Sequence, residues 1–225
     1  MARSAWLKVA LIERHELFAD SLGVVLAMRR CELAKIPIPD VLGRPDRLVT
    51  QVLAARPAVA VVSADVRAHR MVIEELSRAG TPVVVLTDAV VEAQWGEYLV
   101  LGGRLVISKS EPLARIVSVI RLLGAGERVL DPAERERLIQ LHRLRSSQRQ
   151  HAVARLNRLT PHEVSVLRHL MAGRTVREIA AIRQVSEATV RTQVKSVLGK
   201  LEVGSQLSAV ALAHSAGWHT QATAS

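Results

Sequence analysis

The sequence holds a single cysteine, Cys31, in 225 residues. One thiol excludes a disulfide-stapled scaffold and fits a reducing compartment. Aromatic residues are scarce, at 2% of the chain. Long apolar runs are missing as well. Stretches such as Val59–Val62 and Val83–Leu86 are far too short to cross a bilayer. Near the N-terminus, Glu13, Arg14 and His15 cut off the apolar stretch that begins at Val9, so no secretory h-region forms. These absences predict a soluble, cytoplasmic protein without a membrane partner. What is present is aliphatic. Apolar residues make up 49%, enough for one large core or two small ones, and two is the expectation at this length. Val, Leu, Ile and Ala recur throughout, which excludes a disordered tail.

The formal charge is +10 and is unevenly placed. Residues 131–225 carry 14 Lys/Arg against 7 Asp/Glu, whereas residues 1–130 carry 17 against 14. A positive field concentrated in one region attracts polyanions, of which nucleic acid is the commonest. A solvated, arginine-rich surface is the competing explanation for charge alone.

The first 125 residues alternate short apolar runs with longer helical patterns. Val9–Ile12, Leu33–Ile38, Val59–Val62, Val83–Leu86 and Leu105–Ile107 read as strands, the second ending at Pro37 and Pro39. Leu17–Met28, Leu48–Leu53, Val72–Leu76 and Leu113–Leu123 have helical spacing. Continuous apolar strands alternating with helices predict a parallel sheet covered on both faces. Five units favour the doubly wound order 2-1-3-4-5, with function at the carboxyl edge of the strands. Asp131-Pro132-Ala133-Glu134 is a helix start, with Asp as N-cap and Pro in the first turn. The helix it opens carries Leu138, Leu141 and Leu144 on one face and is expected to weaken at Ser146-Ser147-Gln148. The expected organisation is an α/β domain over residues 1–126, a basic helical linker over 127–157, and an all-α four-helix domain over 158–225. A last helix packed on the first domain is the alternative for the linker.

Three capped helices follow one another in the last segment. Thr160-Pro161-His162-Glu163 and Thr175-Val176-Arg177-Glu178 are capping boxes, Gly173 ends the first helix, and Ser186 is a natural N-cap for the third. The third helix places Val190, Val194, Val197, Leu198 and Leu201 on one apolar face and Arg191, Thr192, Lys195, Ser196 and Lys200 on the other. A short helix, a tight turn and a longer helix with a basic outer face form a helix-turn-helix. A final helix from Ser205 to Ser215 carries Leu207, Val210, Ala211 and His214.

Residues 159–213 resemble the LuxR/NarL-type helix-turn-helix domain. The matching residues include Leu159-Thr160, Glu163, Gly173, Glu178-Ile179-Ala180, Val185-Ser186, Thr189-Val190, Val194 and Lys200-Leu201. Gln206 departs from the Arg or Lys usual in that pattern. The resemblance implies that Arg191, Thr192 and Lys195 face the DNA groove. Arg and Lys can donate to guanine O6 and N7, and a Thr methyl can touch thymine. Thr189, Gln193 and Lys200 are expected to meet phosphates and set register. The resemblance also implies a dimer contact on the last helix, whose apolar face equally suits closing the small core.

Residues 6–126 resemble a response-regulator receiver, through the order of elements, Thr81–Thr87, and Lys109 after the fifth strand. That resemblance implies an acid pair and an acceptor Asp holding Mg²⁺, a Thr or Ser and a Lys reading phosphate, and a switching aromatic. Here the acid pair falls on Glu13 and Arg14, the acceptor on Ser63 and the aromatic on Val106, while Thr87 and Lys109 remain. Mg²⁺ needs hard oxygen ligands, so neither metal binding nor aspartyl phosphate is expected, and no cofactor is implied. Asp65, two residues on, is the alternative acceptor. Arg14 is expected to pair with Glu13 or Asp65. A small ligand or partner protein in the same crevice is the other means of control.

The expectation is therefore an atypical response regulator. It would bind double-stranded DNA as a homodimer at an inverted repeat and act without aspartyl phosphorylation. A pure interaction module with a vestigial DNA-binding half is the second reading. A hydrolase built on Ser63, His15 and Asp65 lacks the Gly-x-Ser-x-Gly elbow, and no nucleotide loop or zinc spacing occurs; the protein is not expected to be an enzyme.

Overall fold

The computed structural model describes residues 6–38 and 45–218. The chain divides into two compact units, Met1–Arg143 and Leu144–Ser225. In the first, five strands form one parallel sheet: β1 (Leu7–Ile12), β2 (Cys31–Lys35), β3 (Val59–Ser63), β4 (Val83–Thr87) and β5 (Leu105–Ser108). Their order is β2-β1-β3-β4-β5, and every pairing is parallel. The expected 2-1-3-4-5 order is therefore the observed one. All five residues of β3 and of β4 are buried, which is why their sequences lack polar alternation. Pro39, expected to help end β2, lies outside the described residues.

Helices α1 (Glu16–Met28), α2 (Pro45–Ala54), α3 (His69–Arg78), α4 (Glu92–Val100) and α5 (Leu113–Gly124) cover the sheet. α1 and α5 pack Leu22, Leu26, Ile116 and Ile120 against one face. α2, α3 and α4 pack Leu48, Val52, Val72, Ile73, Leu76 and Leu99 against the other. The sequence pattern did not locate α4. Its stretch GluAlaGlnTrpGlyGluTyrLeuVal contains a glycine and no run of aliphatics, and only tertiary packing selects it.

Helix α6 runs Pro132–Leu156. It opens as expected, with the Ala133 N–H donating to Asp131 Oδ1 at 2.9 Å. It does not weaken at Ser146-Ser147, because those residues stay helical without having to pack a core. Its two halves serve different units. Leu138 and Ile139 belong to the core of the first; Ala152 and Leu156 belong to that of the second. In the first unit the Arg135 guanidinium donates to the carbonyls of Leu99 and Gly103 at 2.9 and 3.0 Å. Gly96 is needed here, since a Cβ would overlap the Leu138 carbonyl. Leu144, expected on the apolar face, is 59% exposed.

The second unit holds α7 (Pro161–Met171), α8 (Val176–Arg183), α9 (Glu187–Leu201) and α10 (Gln206–Ser215). Both predicted capping boxes form, with Thr160 and Thr175 at the N-caps. Ser186 caps α9 by accepting the Thr189 N–H at 3.1 Å. The α8–α9 turn is made by Gln184 in the left-handed region, at φ 53°. Val166, Leu167, Ile179, Val190, Val197 and Leu201 are fully buried in this core. The apolar residues expected on α10 divide, with Val210 packed partly against the core. Ala209 and Ala213 close the core, while Leu207 is 79% exposed, because only small side chains fit against α7 and α9 there. Ile182 on α8 also lies outside, at 51% exposed.

Candidate functional site

The carboxyl edge of the sheet brings Glu13, Ser63, Asp65, Thr87 and Lys109 together, each by its strand. Glu13 follows β1, Ser63 ends β3, Thr87 ends β4 and Lys109 follows β5. Lys109 sits at the centre. Its Nζ lies 3.0 Å from Glu13 Oε2 and 3.1 Å from Asp65 Oδ2. The Lys109 side chain is 8% exposed and that of Glu13 is 0%. The stem of Lys109 runs past Phe18, with Nζ 5.8 Å from the ring centroid. Burial pushes the Lys109 pKa down, but Glu13 and Asp65 outweigh it and hold the ammonium above its ordinary range. Burial raises Asp65, yet Ser63, Lys109 and His15 together draw it below the usual carboxylate range.

Arg14, expected to pair with Glu13 or Asp65, does neither: it is exposed and joins no ion pair among the described residues. Lys109, on the loop after β5, bridges both carboxylates instead. His15 comes within 3.5 Å of Asp65 through Nε2. Its backbone N–H donates to Glu13 Oε1 at 2.9 Å. Ser63 is fully buried, and its Oγ makes no hydrogen bond of good geometry. With no base bonded to it, that hydroxyl is not an activated nucleophile. Thr87 Oγ1 accepts the Ala89 N–H at 3.0 Å, which fixes the turn after β4. Val106, at the place of the expected aromatic, is buried in the core.

Three side chains, Glu13, His15 and Asp65, offer donor atoms within 4.8 Å of one another. They do not fit the Mg²⁺ that a receiver implies. Mg²⁺ wants an octahedron of oxygens. Here one donor is an imidazole, Ser63 beside them offers a hydroxyl and not a carboxylate, and an ammonium already bridges the two acids.

In the second unit, α9 presents Arg191, Thr192 and Lys195 on its exposed face. Arg191 is steadied by Glu187 one turn back, at 2.7 Å. The Thr192 hydroxyl donates to the Ala188 carbonyl at 3.1 Å. Thr189 is exposed at the N-terminal end, its hydroxyl 2.9 Å from that of Ser186. Two of the expected phosphate contacts are instead engaged inside the domain. Gln193 accepts from Arg183 of α8. Lys200 donates to Glu163 Oε2 at 2.7 Å. They lie on the flanks of α9, where the neighbouring helices reach them first.

Sequence reasoning recognised Glu163 only as a cap. In the fold it does three things. It closes the α7 capping box through the Thr160 N–H at 2.7 Å, accepts from Ser196 at 2.6 Å and holds Lys200. Burial pushes its carboxyl up, but the Lys200, Ser196 and Thr160 donors prevail and bring its pKa to about 2. The clamp ties α7 to α9 and sets where the exposed face of α9 points.

Residues 157–213 match the bacterial regulatory proteins of the luxR family. This segment is similar to the luxR-family regulatory domain. It contains all of α7, α8 and α9 and most of α10, so every residue singled out on α9 falls inside the match. The transcriptional regulatory protein DesR of Bacillus subtilis (strain 168) is 26% identical over 145 residues, covering 64% of this chain and 66% of that protein. The transcriptional regulatory protein ComA of the same organism is 31% identical over 138 residues, covering 60% of this chain and 62% of that protein. The chain thus matches slightly less than two thirds of the length of these relatives. Among solved structures, the RcsB response regulator of Salmonella typhimurium aligns with 92% of this chain and 97% of its own, at a TM-score of 0.48 and 18% identity. The first unit has the receiver-like arrangement of five parallel strands with helices on both faces. No helix among the described residues is long and apolar enough to cross a membrane.

Proposed function

We propose that the protein is a sequence-specific DNA-binding transcription regulator of the response-regulator type, which binds as a dimer and acts without aspartyl phosphorylation. The observation that carries the reading is the exposed set of Arg191, Thr192 and Lys195 on the third helix of a luxR-like segment, with Gln193 and Lys200 on its flanks engaged by neighbouring helices. Arg191 and Lys195 are suited to guanine edges and Thr192 to a thymine methyl, with Thr189 at the phosphates. The similarity to proteins described as transcriptional regulators supports the same reading.

Capture of sheared genomic DNA by the full-length protein, without a phosphodonor, is expected to enrich a short inverted repeat with half-sites about one helical turn apart. Replacing Arg191 and Lys195 together by alanine should cost about 1–3 kcal/mol of base discrimination per lost contact. Affinity for unrelated DNA should fall too, with a shallower salt dependence. Unchanged site selection by that double variant would remove α9 as the reading helix.

Independence from phosphorylation rests on the Lys109 bridge and on Ser63. Glu13 and Asp65 already share an internal ammonium, and a serine hydroxyl cannot form an acyl phosphate. Titrating the protein–DNA complex with Mg²⁺ and acetyl phosphate is expected to leave its dissociation constant unchanged at constant ionic strength. A severalfold tightening, together with a phosphorylated peptide containing Asp65, would overturn this part of the proposal.

A further inference from the structure

We propose that Gly199 is where a DNA sugar–phosphate strand lies against α9, and that its missing side chain sets how deeply the reading helix seats. The role rests on the DNA-binding reading above and adds a residue that reads no base itself. A glycine inside a helix is a cost, because it gives up more chain entropy on folding than alanine does.

Three things in a fold can require such a glycine, and none applies to Gly199. The first is close packing. Gly96 of α4 is explained that way, since a Cβ there would overlap the Leu138 carbonyl, whereas a Cβ on Gly199 would meet nothing within 4 Å. The second is a positive φ, which Gly199 does not have; it stays within the regular course of α9. The third is the helix C-cap. α9 does end in a left-handed residue, the place where glycine is at home, but that residue is Glu202, at φ 57°. Its carboxylate lies 3.0 Å from Arg158 and 3.9 Å from Arg155. The chain thus carries glutamate where the fold would accept glycine. It carries glycine three residues earlier, where the fold would accept alanine.

The remaining use is on the outside. Gly199 is exposed. It lies on the side of α9 opposite the buried Val190, Val194, Val197 and Leu201, one turn beyond Lys195 and two beyond Thr192. The groove leaves little room there. A helix about 10–12 Å across fills a major groove about 12 Å wide. The fifteen residues of α9 span about 22 Å, so the helix is longer than the groove is wide, and each end passes close to a backbone strand. With Arg191, Thr192 and Lys195 at the base edges, Thr189 serves the strand at the N-terminal end. Gly199 is the outward residue at the other. Glu202, the acid that follows, is already paired with arginine and does not repel a phosphate as a free carboxylate would. A methyl group on Gly199 would hold that strand off and lift Lys195 away from the bases.

Two measurements on the full-length chain test the proposal, made on the wild type, Gly199→Ala and Gly199→Leu. One is the affinity for a duplex of the inverted repeat enriched by genomic capture, at fixed ionic strength. The other is the calorimetric melting of the second unit. Affinity should fall about tenfold with alanine and further with leucine. Melting should rise by about 4 °C or more with alanine, because helix propensity improves and no contact is lost. The opposite signs are the signature. A glycine required by the fold would lose stability and affinity together, and an idle one would gain stability and keep its affinity; either result would overturn the proposal. Lys195→Ala, by comparison, should lose affinity without any gain in melting temperature. A wild type that binds no DNA would refute the regulator reading and this role with it. A wild type that binds, with both variants binding equally well, would refute the role of Gly199 alone.

Discussion

Replacing Lys109 by methionine is expected to destabilise the receiver-like unit by about 3 kcal/mol, the lower end of what breaking a buried ion pair costs. The reason is the company it leaves behind. The Glu13 side chain is 0% exposed, so without the ammonium a carboxylate stays in the interior with only the His15 N–H to stabilise it. Asp65 is more open and loses less, which is why the lower figure applies. Urea denaturation of the full chain, followed by Trp95 fluorescence, measures the effect. Trp95 belongs to this unit and donates to the Ala89 carbonyl at 2.8 Å. Combining Lys109→Met with Glu13→Gln should recover most of the loss, because the stranded charge is then gone. A single variant within about 0.5 kcal/mol of wild type, the range of an ordinary surface change, would mean that water already screens the pair. The Lys109 bridge would then not hold the pocket.

Glu163 has the second large effect. Its carboxyl lies at about 2 in the folded domain, against an ordinary value of 4.5. A depressed carboxylate contributes stability that is fully present above its unfolded value and is lost as the pH falls through the folded one. The second unit should therefore lose up to about 3 kcal/mol between pH 5 and pH 2 through this group. Glu163→Ala should cost about as much at neutral pH, by removing a cap and stranding the Lys200 and Ser196 donors. For a unit of this size that corresponds to a drop in melting temperature of about 10 °C or more. Glu163→Gln keeps an acceptor for the Thr160 N–H but loses the ion pair, and should flatten the acid limb of the stability profile. An unchanged acid limb in that variant would show that other groups govern acid unfolding. Because α9 is referenced to α7 through this clamp, the alanine variant should also bind DNA more weakly even below its melting temperature.

The element pattern of the chain was largely open to inspection. Strands buried on both faces leave continuous runs of Val, Ile and Leu, and β3 and β4 are both of this kind. Helix starts in the last segment were equally readable, since Thr160, Thr175, Ser186 and Glu163 state their capping chemistry locally. α4 was not, for its residues carry no pattern that demands a helix. On α10 the local pattern left core closure and an outer contact open; Ala209 and Ala213 close the core with Val210 beside them, and Leu207 stays exposed. Residue size along a helix does not reveal the distance to its neighbour.

The pocket divides in the same way. That Ser63, Thr87 and Lys109 gather at the carboxyl edge of the sheet follows from their places at the ends of β3, β4 and β5. Which cation neutralises Glu13 does not. Arg14 is adjacent in sequence and Lys109 is 96 residues away, yet only Lys109 approaches from the interior end of β5. On α9 the outward Arg191, Thr192 and Lys195 follow from the helical period, whereas Gln193 and Lys200 were claimed by α8 and α7. The sequence by itself determined the elements, their order and the chemistry each could offer, because periodicity, capping and strand burial act over a few residues. Only the tertiary structure decided which charges meet, which apolar faces are used and which remain open, because those depend on distances between segments far apart in the chain.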